Sequence, residues 1–205
     1  MMMQMHVDRA ALAFAALLLV PAPVLACPKA FGDGLVIRYD DGSSVLQTAT
    51  QTPQLIREDI TMPSPDENFA QEAWFGIFLH RVWYDGIDAP PSEVTEYAEP
   101  PELPEPGSAR QGLEASVTDG GRSFAQRIDL SAGPLSRIEI GDCAFDGYEV
   151  DLRIFEPDYM YRDRYLVLPE LGTAFLIETQ DSEDLLQFRP VAIMTPAEAA
   201  ARGDD

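Results

Sequence analysis

Carboxylates dominate the groups in this sequence that could do chemistry. Asp and Glu number 35 against 14 Lys and Arg, for a formal net charge of −21 at pH 7. Two carboxyls facing each other across a cleft can hydrolyse a glycoside, one acting as acid and the other as base or nucleophile. With acids this abundant, however, closeness along the chain selects no particular pair. Two acidic turns, Asp40–Asp41 and the "DSED" of Asp181–Asp184, could offer oxygen ligands to calcium. Neither has the spacing of a defined calcium loop, and solvated turn acids are the simpler reading. Histidine is the commonest catalytic base, and beyond residue 26 it occurs once, as His80 inside "WFGIFLHRVWY". No serine elbow accompanies it, so a packed, hydrogen-bonded role is expected. Clustered Cys and His ligands for zinc, a glycine-rich phosphate loop and a dinucleotide fingerprint are all absent from the sequence. No catalytic residue, metal ligand, cofactor-binding residue or cofactor is assigned.

Recognition chemistry is better represented. In "EPDYMYRDRY", residues 156–165, Tyr159, Tyr161 and Tyr165 interleave with Arg162 and Arg164. Tyrosine and arginine carry much of the energy of protein interfaces when exposed, which makes this segment a candidate interface. The same alternation also suits the strand of a hairpin. Two cysteines, Cys27 and Cys143, most simply form a disulfide in an oxidising compartment. Closing a loop of roughly 100 residues this way stabilises by about 4–5 kcal/mol in the chain-entropy picture. The alternative is that "VLAC" acts as a lipobox and Cys27 carries a lipid anchor, which would leave Cys143 a free thiol.

The elements that must position these groups read as strands. Asp-Gly pairs recur at Asp33-Gly34, Asp41-Gly42, Asp85-Gly86, Asp119-Gly120 and Asp146-Gly147, and such pairs supply the positive φ angles of tight hairpins. Between them the hydrophobic period is two. In "YEVDLRIF" Val150, Leu152 and Ile154 share one face while Glu149, Asp151 and Arg153 share the other, the pattern of a half-buried antiparallel strand. "GLVIRYDDGSSVLQT", "GLEASVTDGGRSFAQRIDL" and "RYLVLPELGTAFLIET" each read as strand, turn, strand. A strand buried on both faces is expected from about Ile77 to Tyr84, with Gly76 at a turn or bulge. Ser64-Pro65-Asp66-Glu67 is a capping-box signature that predicts a short helix from about Pro65. The expected class is all-β, with antiparallel sheets and hairpins in a sandwich or open barrel-like arrangement.

The chain divides into a leader over 1–26, an N-terminal β half over 27–88, a Pro/Glu-rich connector over 89–111, a C-terminal β half over 112–196 and a flexible tail over 197–205. In the leader, Arg9 precedes the apolar run Ala10–Val20 and then "PAPVLA". That run is too short for a membrane span, which needs about 20 apolar residues, and reads as a secretory signal. The expected location is periplasmic or secreted. The β halves echo each other in their Asp-Gly hairpins and in "AWFGIFL" and "PELGTAFL", as an internal duplication would. In the connector, glutamates recur at 93, 96, 99, 102 and 105 among prolines. Polyproline II has three residues per turn and rises about 3.1 Å per residue, which spaces these acids roughly 9 Å apart along one edge. Repulsion at that distance is slight at physiological salt, so the stretch is expected to be a semi-rigid, solvated join.

The order of motifs, "CPKA…GLVIRYDDGS", "LPEPGS", "IGDCAFDGYEV" and "YLVLPELGTAFLIE", resembles a set of uncharacterised secreted proteins of alphaproteobacteria. The resemblance implies a periplasmic β-protein and no activity, cofactor or site residue. The acidic balance argues against nucleic acid as a partner, because phosphate backbones would repel this chain. Three functions follow in order of expectation. The first is a non-enzymatic periplasmic β-domain that binds a partner or contributes to the envelope. The second is a carrier of a small apolar ligand or lipid within a curved sheet, and the third is a carboxylate-based hydrolase. An apolar pocket of several hundred Å³ would favour the carrier.

Overall fold

A computed structural model describes residues 27–84 and 86–203; the expected leader lies outside them. The architecture is all-β and antiparallel, a single open sheet of fourteen strands. The chain opens with β1 (Leu35–Tyr39), β2 (Ser44–Ala49), β3 (Leu55–Thr61), β4 (Phe69–Trp74) and β5 (Phe78–Trp83), a meander of adjacent strands. It continues through β6 (Glu93–Tyr97), β7 (Ala109–Asp119) and β8 (Arg122–Ala132). Next come β9 (Ser136–Ile140), the long β10 (Cys143–Phe155), β11 (Met160–Leu168) and β12 (Thr173–Gln180), then β13 (Leu185–Gln187) and β14 (Pro190–Met194). A short helix, α1 (Pro196–Ala201), follows.

The order across the sheet is β13-β12-β11-β10-β8-β7-β6-β5-β4-β3-β2-β1-β14, with β9 paired to the first part of β10. The final strand thus returns to β1, and β14 also lies beside the end of β9. A Cβ added at Gly141 would stand 2.7 Å from the Val191 carbonyl oxygen. The sheet curls almost fully round without closing by hydrogen bonds.

The β11–β12 hairpin explains the core. Near its Pro-Glu-Leu-Gly turn both faces are buried. Leu166, Leu168, Leu171 and Phe175 pack with Leu35, Ile37, Phe145 and Ile193. Val167 and Ala174, on the other face, pack with Ile77, Phe78, Leu113 and Leu152. Fully burying such a side chain stabilises by about 1.5–3 kcal/mol, so the hairpin is held as a wedge between two apolar clusters. Its insertion needs a gap in the opposite wall. That gap is the β4–β5 turn, where Phe75 and Gly76 both have positive φ (59° and 73°), as primed hairpin turns require. A Cβ on Gly76 would lie 2.5 Å from the Ala174 carbonyl oxygen, so only glycine fits there.

Several expectations need correction. Both apolar clusters draw on residues from either side of 89–111, so the two β halves share one core. The 89–111 segment is not a free join. Its residues 93–97 are β6, paired to β5 and β7, because no proline falls between Pro91 and Pro100 to remove a ladder donor. Beyond it Pro101 and Pro104 are buried while Glu99, Glu102 and Glu105 are exposed. The period of three is therefore real, with prolines inward and glutamates outward. The buried Tyr148 hydroxyl donates to the Pro104 carbonyl at 3.0 Å, and Leu103 packs on the second cluster.

The helix expected from about Pro65 is a single 3-10 turn, Pro65–Glu67, with no side-chain cap bond and every residue exposed. It has no apolar face to bury, and packing rather than propensity sustains most helices. The tail expected to be flexible from 197 onwards is instead largely α1. Thr195 and Glu198 form a reciprocal capping box and Ala199 is buried. The aromatic strand runs Phe78–Trp83, and Arg81 within it is exposed, so only its last two residues, Val82 and Trp83, are buried on both faces.

Candidate functional site

Strand parity sorts the tyrosine-arginine segment into two faces. On β11, Tyr161, Asp163 and Tyr165 point inward and line a cavity of about 280 Å³. Arg162 and Arg164 point outward, where acids from the neighbouring strands neutralise them. The Arg162 Nε donates to Asp151 at 2.6 Å, with a second, closer contact through its Nη2. The Arg164 Nη2 lies 3.3 Å from a Glu178 carboxylate oxygen. Tyr159 is exposed, its hydroxyl donating to Asp181 at 2.9 Å and its ring 5.7 Å from that of Tyr161. The candidate interface formed by Tyr159, Tyr161, Arg162, Arg164 and Tyr165 is thus not one exposed surface. Its arginines are committed to ion pairs and two of its tyrosines belong to the interior.

The cavity lies between the hairpin and the inner faces of β3, β4, β6, β8 and β10. Much of its wall is apolar: Val45, Ile60, Phe69, Ile77, Phe78, Ile128, Leu152, Ile154 and Phe175. Its polar groups are few and specific. At one end, neighbouring strands align Gln47, Glu58 and Gln71 as direct cross-strand partners. The Gln47 Nε2 donates to Glu58 Oε1 at 2.6 Å and to the Ala174 carbonyl at 2.7 Å. Thr173 Oγ1 donates to Gln47 Oε1 at 2.8 Å, and Gln71 Nε2 donates to Glu58 Oε2 at 2.5 Å. This row ties the wedge to the β2–β3–β4 wall and leaves Glu58 4% exposed. Burial pushes the Glu58 carboxyl up to about 7, against the opposing pull of the Gln71 and Gln47 hydrogen bonds.

Two more acids line the same space. Burial raises Asp163, opposed by hydrogen bonds from Thr179, at 2.6 Å, and from Tyr165. Burial also raises Glu93, assisted by the negative charges of Asp119 and Glu156. Four tyrosines complete the lining. Burial holds Tyr39, Tyr97, Tyr161 and Tyr165 in the phenol form well above the ordinary range. The Tyr97 hydroxyl donates to the Leu79 carbonyl at 2.8 Å. Tyr39 is 6% exposed, and its hydroxyl has no hydrogen-bond partner among the described residues. No fully enclosed polar side-chain atom among the described residues lacks a partner, so this hydroxyl keeps some accessible surface, on a residue that lines the cavity. No Lys, Arg or His lines the cavity.

The remaining sequence candidates have structural places. Cys27 and Cys143 form a disulfide with a Cα–Cα distance of 5.5 Å, tying the start of the described chain to the start of β10. His80 is half-buried, its Nδ1 3.1 Å from the Thr95 carbonyl oxygen. The Asp41 carboxylate accepts from the amide and hydroxyl of Ser43. Asp181 accepts from the amides of Glu183 and Asp184. Both acids therefore serve their own turns. Sequence reasoning missed Glu58, Gln47, Gln71 and Glu93, and it read Asp163 only as part of a surface. A signal existed: Glu58 shares strand parity with Ile56 and Ile60, and Asp163 with Tyr161 and Tyr165. A carboxyl on the apolar face of a strand is the informative case, since buried acids are rare unless paired.

No family model matches the sequence, and no curated protein does. Among solved structures, the chain is similar to a hypothetical lipoprotein, YmcC, of Escherichia coli (K12). The two share 9% sequence identity at a TM-score of 0.44, over 82% of this chain and 86% of that one.

Proposed function

We propose that this is an exported, non-enzymatic β-protein that holds a small amphipathic ligand inside its curved sheet. The observation that carries the reading is the cavity. It is mostly apolar, about 280 Å³ in volume, and contains a small set of placed polar groups, the usual make-up of small-molecule sites of roughly 300–1,000 Å³. Export is supported by the disulfide, which persists in oxidising compartments, and by the leader-like first 26 residues. Among the described residues no helix is long and apolar enough to cross a membrane. A binding role in place of catalysis is supported by the position of His80, whose ring is engaged with the β6 backbone outside the cavity. The carrier is favoured over a docked partner protein because residues 156–165 are divided between ion pairs and cavity wall.

The test is occupancy. Protein purified from the periplasm and extracted with organic solvent should release a small amphipathic compound detectable by mass spectrometry. The neutral fluorophore N-phenylnaphthylamine should bind the emptied protein. Ala73, 2% exposed and part of the wall, gives the control: Ala73→Leu fills the space and should abolish probe binding with the melting temperature retained. Unchanged binding by a folded Ala73→Leu variant would place the ligand elsewhere.

A further inference from the structure

The charges of the cavity wall define what it can take. Glu58, Glu93 and Asp163 face the interior, and no basic side chain faces them. An anionic headgroup would meet only repulsion and a desolvation cost there. Glu58 is buried and Glu93 and Asp163 are half-buried with no cation beside them, and burial raises all three carboxyls above their ordinary values. Around them stand the rings of Tyr39, Tyr97, Tyr161 and Tyr165. The faces of such rings attract cations, most strongly where water is excluded. Tyr39 adds an independent pointer to a ligand: the residue is 6% exposed and lines the cavity, and its hydroxyl, which keeps some accessible surface, has no hydrogen-bond partner among the described residues. A bare metal ion is disfavoured. Among the described residues no three Asp, Glu, His or Cys side chains converge closely enough to hold one. The acids are instead spread along a wall that is largely apolar.

We infer that the cavity binds an organic cation with an apolar tail, an alkylammonium or quaternary ammonium amphiphile, with its head among Glu58, Asp163, Glu93 and the tyrosine rings. This rests on the ligand-holding role proposed above and names the chemistry of its occupant. Binding a cation favours the ionised carboxylates. Since Glu58 titrates at about 7, occupancy below that pH releases a proton and affinity rises as pH increases through it. Burial raises Glu93 and Asp163 as well, and the tyrosines facing Glu58 stay neutral throughout, so no facing group reverses the direction.

Isothermal titration of the full protein, emptied of endogenous ligand, with three probes of one chain length tests this: octyltrimethylammonium, octyl glucoside and octanoate. The cation is expected to bind at least about tenfold more tightly than the neutral glucoside, the scale of a desolvated cation–aromatic contact, and octanoate least. The preference should weaken in Glu58→Gln and, should that variant fold poorly, in Asp163→Asn. Titrations in buffers of different ionisation enthalpy should show proton release. Equal binding of glucoside and cation, or tight binding of octanoate, overturns the cation assignment while leaving the carrier intact. Failure of all three probes to bind overturns both. Extraction of phosphatidylcholine from vesicles would identify a lipid headgroup as the source of the cation. Binding of octyltrimethylammonium without such extraction would identify a free amine.

Discussion

Glu96, Glu99, Glu102 and Glu105 stand in solvent along the 89–111 segment, while Glu58 is buried and Asp163 half-buried on the wall of the cavity. The first group is conspicuous in the sequence, regular and dense, and its backbone rather than its charges attaches it to the fold. The second group is scattered through ordinary strands and has no local pattern of acids. The difference lies in what surrounds each carboxyl. A solvated acid roughly 9 Å from its nearest fellow interacts weakly. A buried acid feels the low polarity of its surroundings in full and changes its protonation in response. Density of charge along a chain is therefore a poor guide to electrostatic consequence in a β-protein. Parity on the strand is a better one.

The largest effect expected from this contrast is the pH dependence of stability. Glu58 titrates at about 7 in the folded protein, above the 4.5 of an ordinary glutamate. The native state therefore holds a proton that the unfolded chain gives up earlier. The sign is that stability is greatest below the unfolded value and falls as pH rises through 7, by about 3 kcal/mol for a shift of this size. Glu93 and Asp163 act in the same direction. Urea titrations across this range should show the fall, and Glu58→Gln should remove most of it, gaining stability at alkaline pH. A flat profile for the unaltered protein would mean that the carboxyl is hydrated and the contrast with the exposed glutamates is illusory.

A smaller effect concerns how the exposed segment is held. Removing the Tyr148 hydroxyl leaves the Pro104 carbonyl buried without its donor, and an orphaned acceptor costs about 1–3 kcal/mol. Tyr148→Phe should lower stability by about that amount. It should also raise amide exchange at Gly107, whose N–H donates to the Gly133 carbonyl at 2.9 Å. Unchanged exchange would mean that the buried prolines suffice to dock the segment.

Much of the strand plan was legible because it depends on local rules. The Asp-Gly pairs at 41–42 and 119–120 located the β1–β2 and β7–β8 hairpins, and two-residue alternation located β10 and the β11–β12 hairpin, whereas Asp146-Gly147, expected at a turn, lies within β10. What escaped depends on long-range packing. "SPDE" at 64–67 and "TPAE" at 195–198 carry the same capping signature, yet one yields a 3-10 turn and the other a helix. The second is followed by alanines, one of which finds a buried place, and the first by the polar Asn68 and a strand. β6 was hidden by its proline-rich flanks, although its own five residues, "EVTEY", alternate as a strand should. The cavity was illegible for a related reason. Gln47, Glu58 and Thr173 come together only because the hairpin wedges against β2 and β3, a contact between residues about as far apart in the chain as its cysteines.

The smallest effect sharpens the comparison most. Replacing Glu96, Glu99, Glu102 and Glu105 together with glutamine removes four charges from the most acidic stretch, yet should change stability by no more than about 0.5 kcal/mol. All four are exposed, and the one ion pair they make among the described residues, Glu99 with Arg110 at 3.0 Å, is itself on the surface. Surface pairs of this kind contribute about 0–1 kcal/mol, and losing this one is offset by reduced repulsion in a chain of net charge −21. Glu93 is left out of the set because it faces the cavity and belongs with Glu58. Including it provides the decisive step. If charge density governed stability, the fifth substitution would add an increment like each of the others. If burial governs it, Glu93→Gln alone should exceed the other four combined and act by stabilising at alkaline pH, where its raised carboxyl would otherwise have to ionise. Denaturant midpoints for the quadruple and quintuple variants at acid and alkaline pH distinguish these outcomes, and equal increments would overturn the reading of Glu93 as part of the cavity.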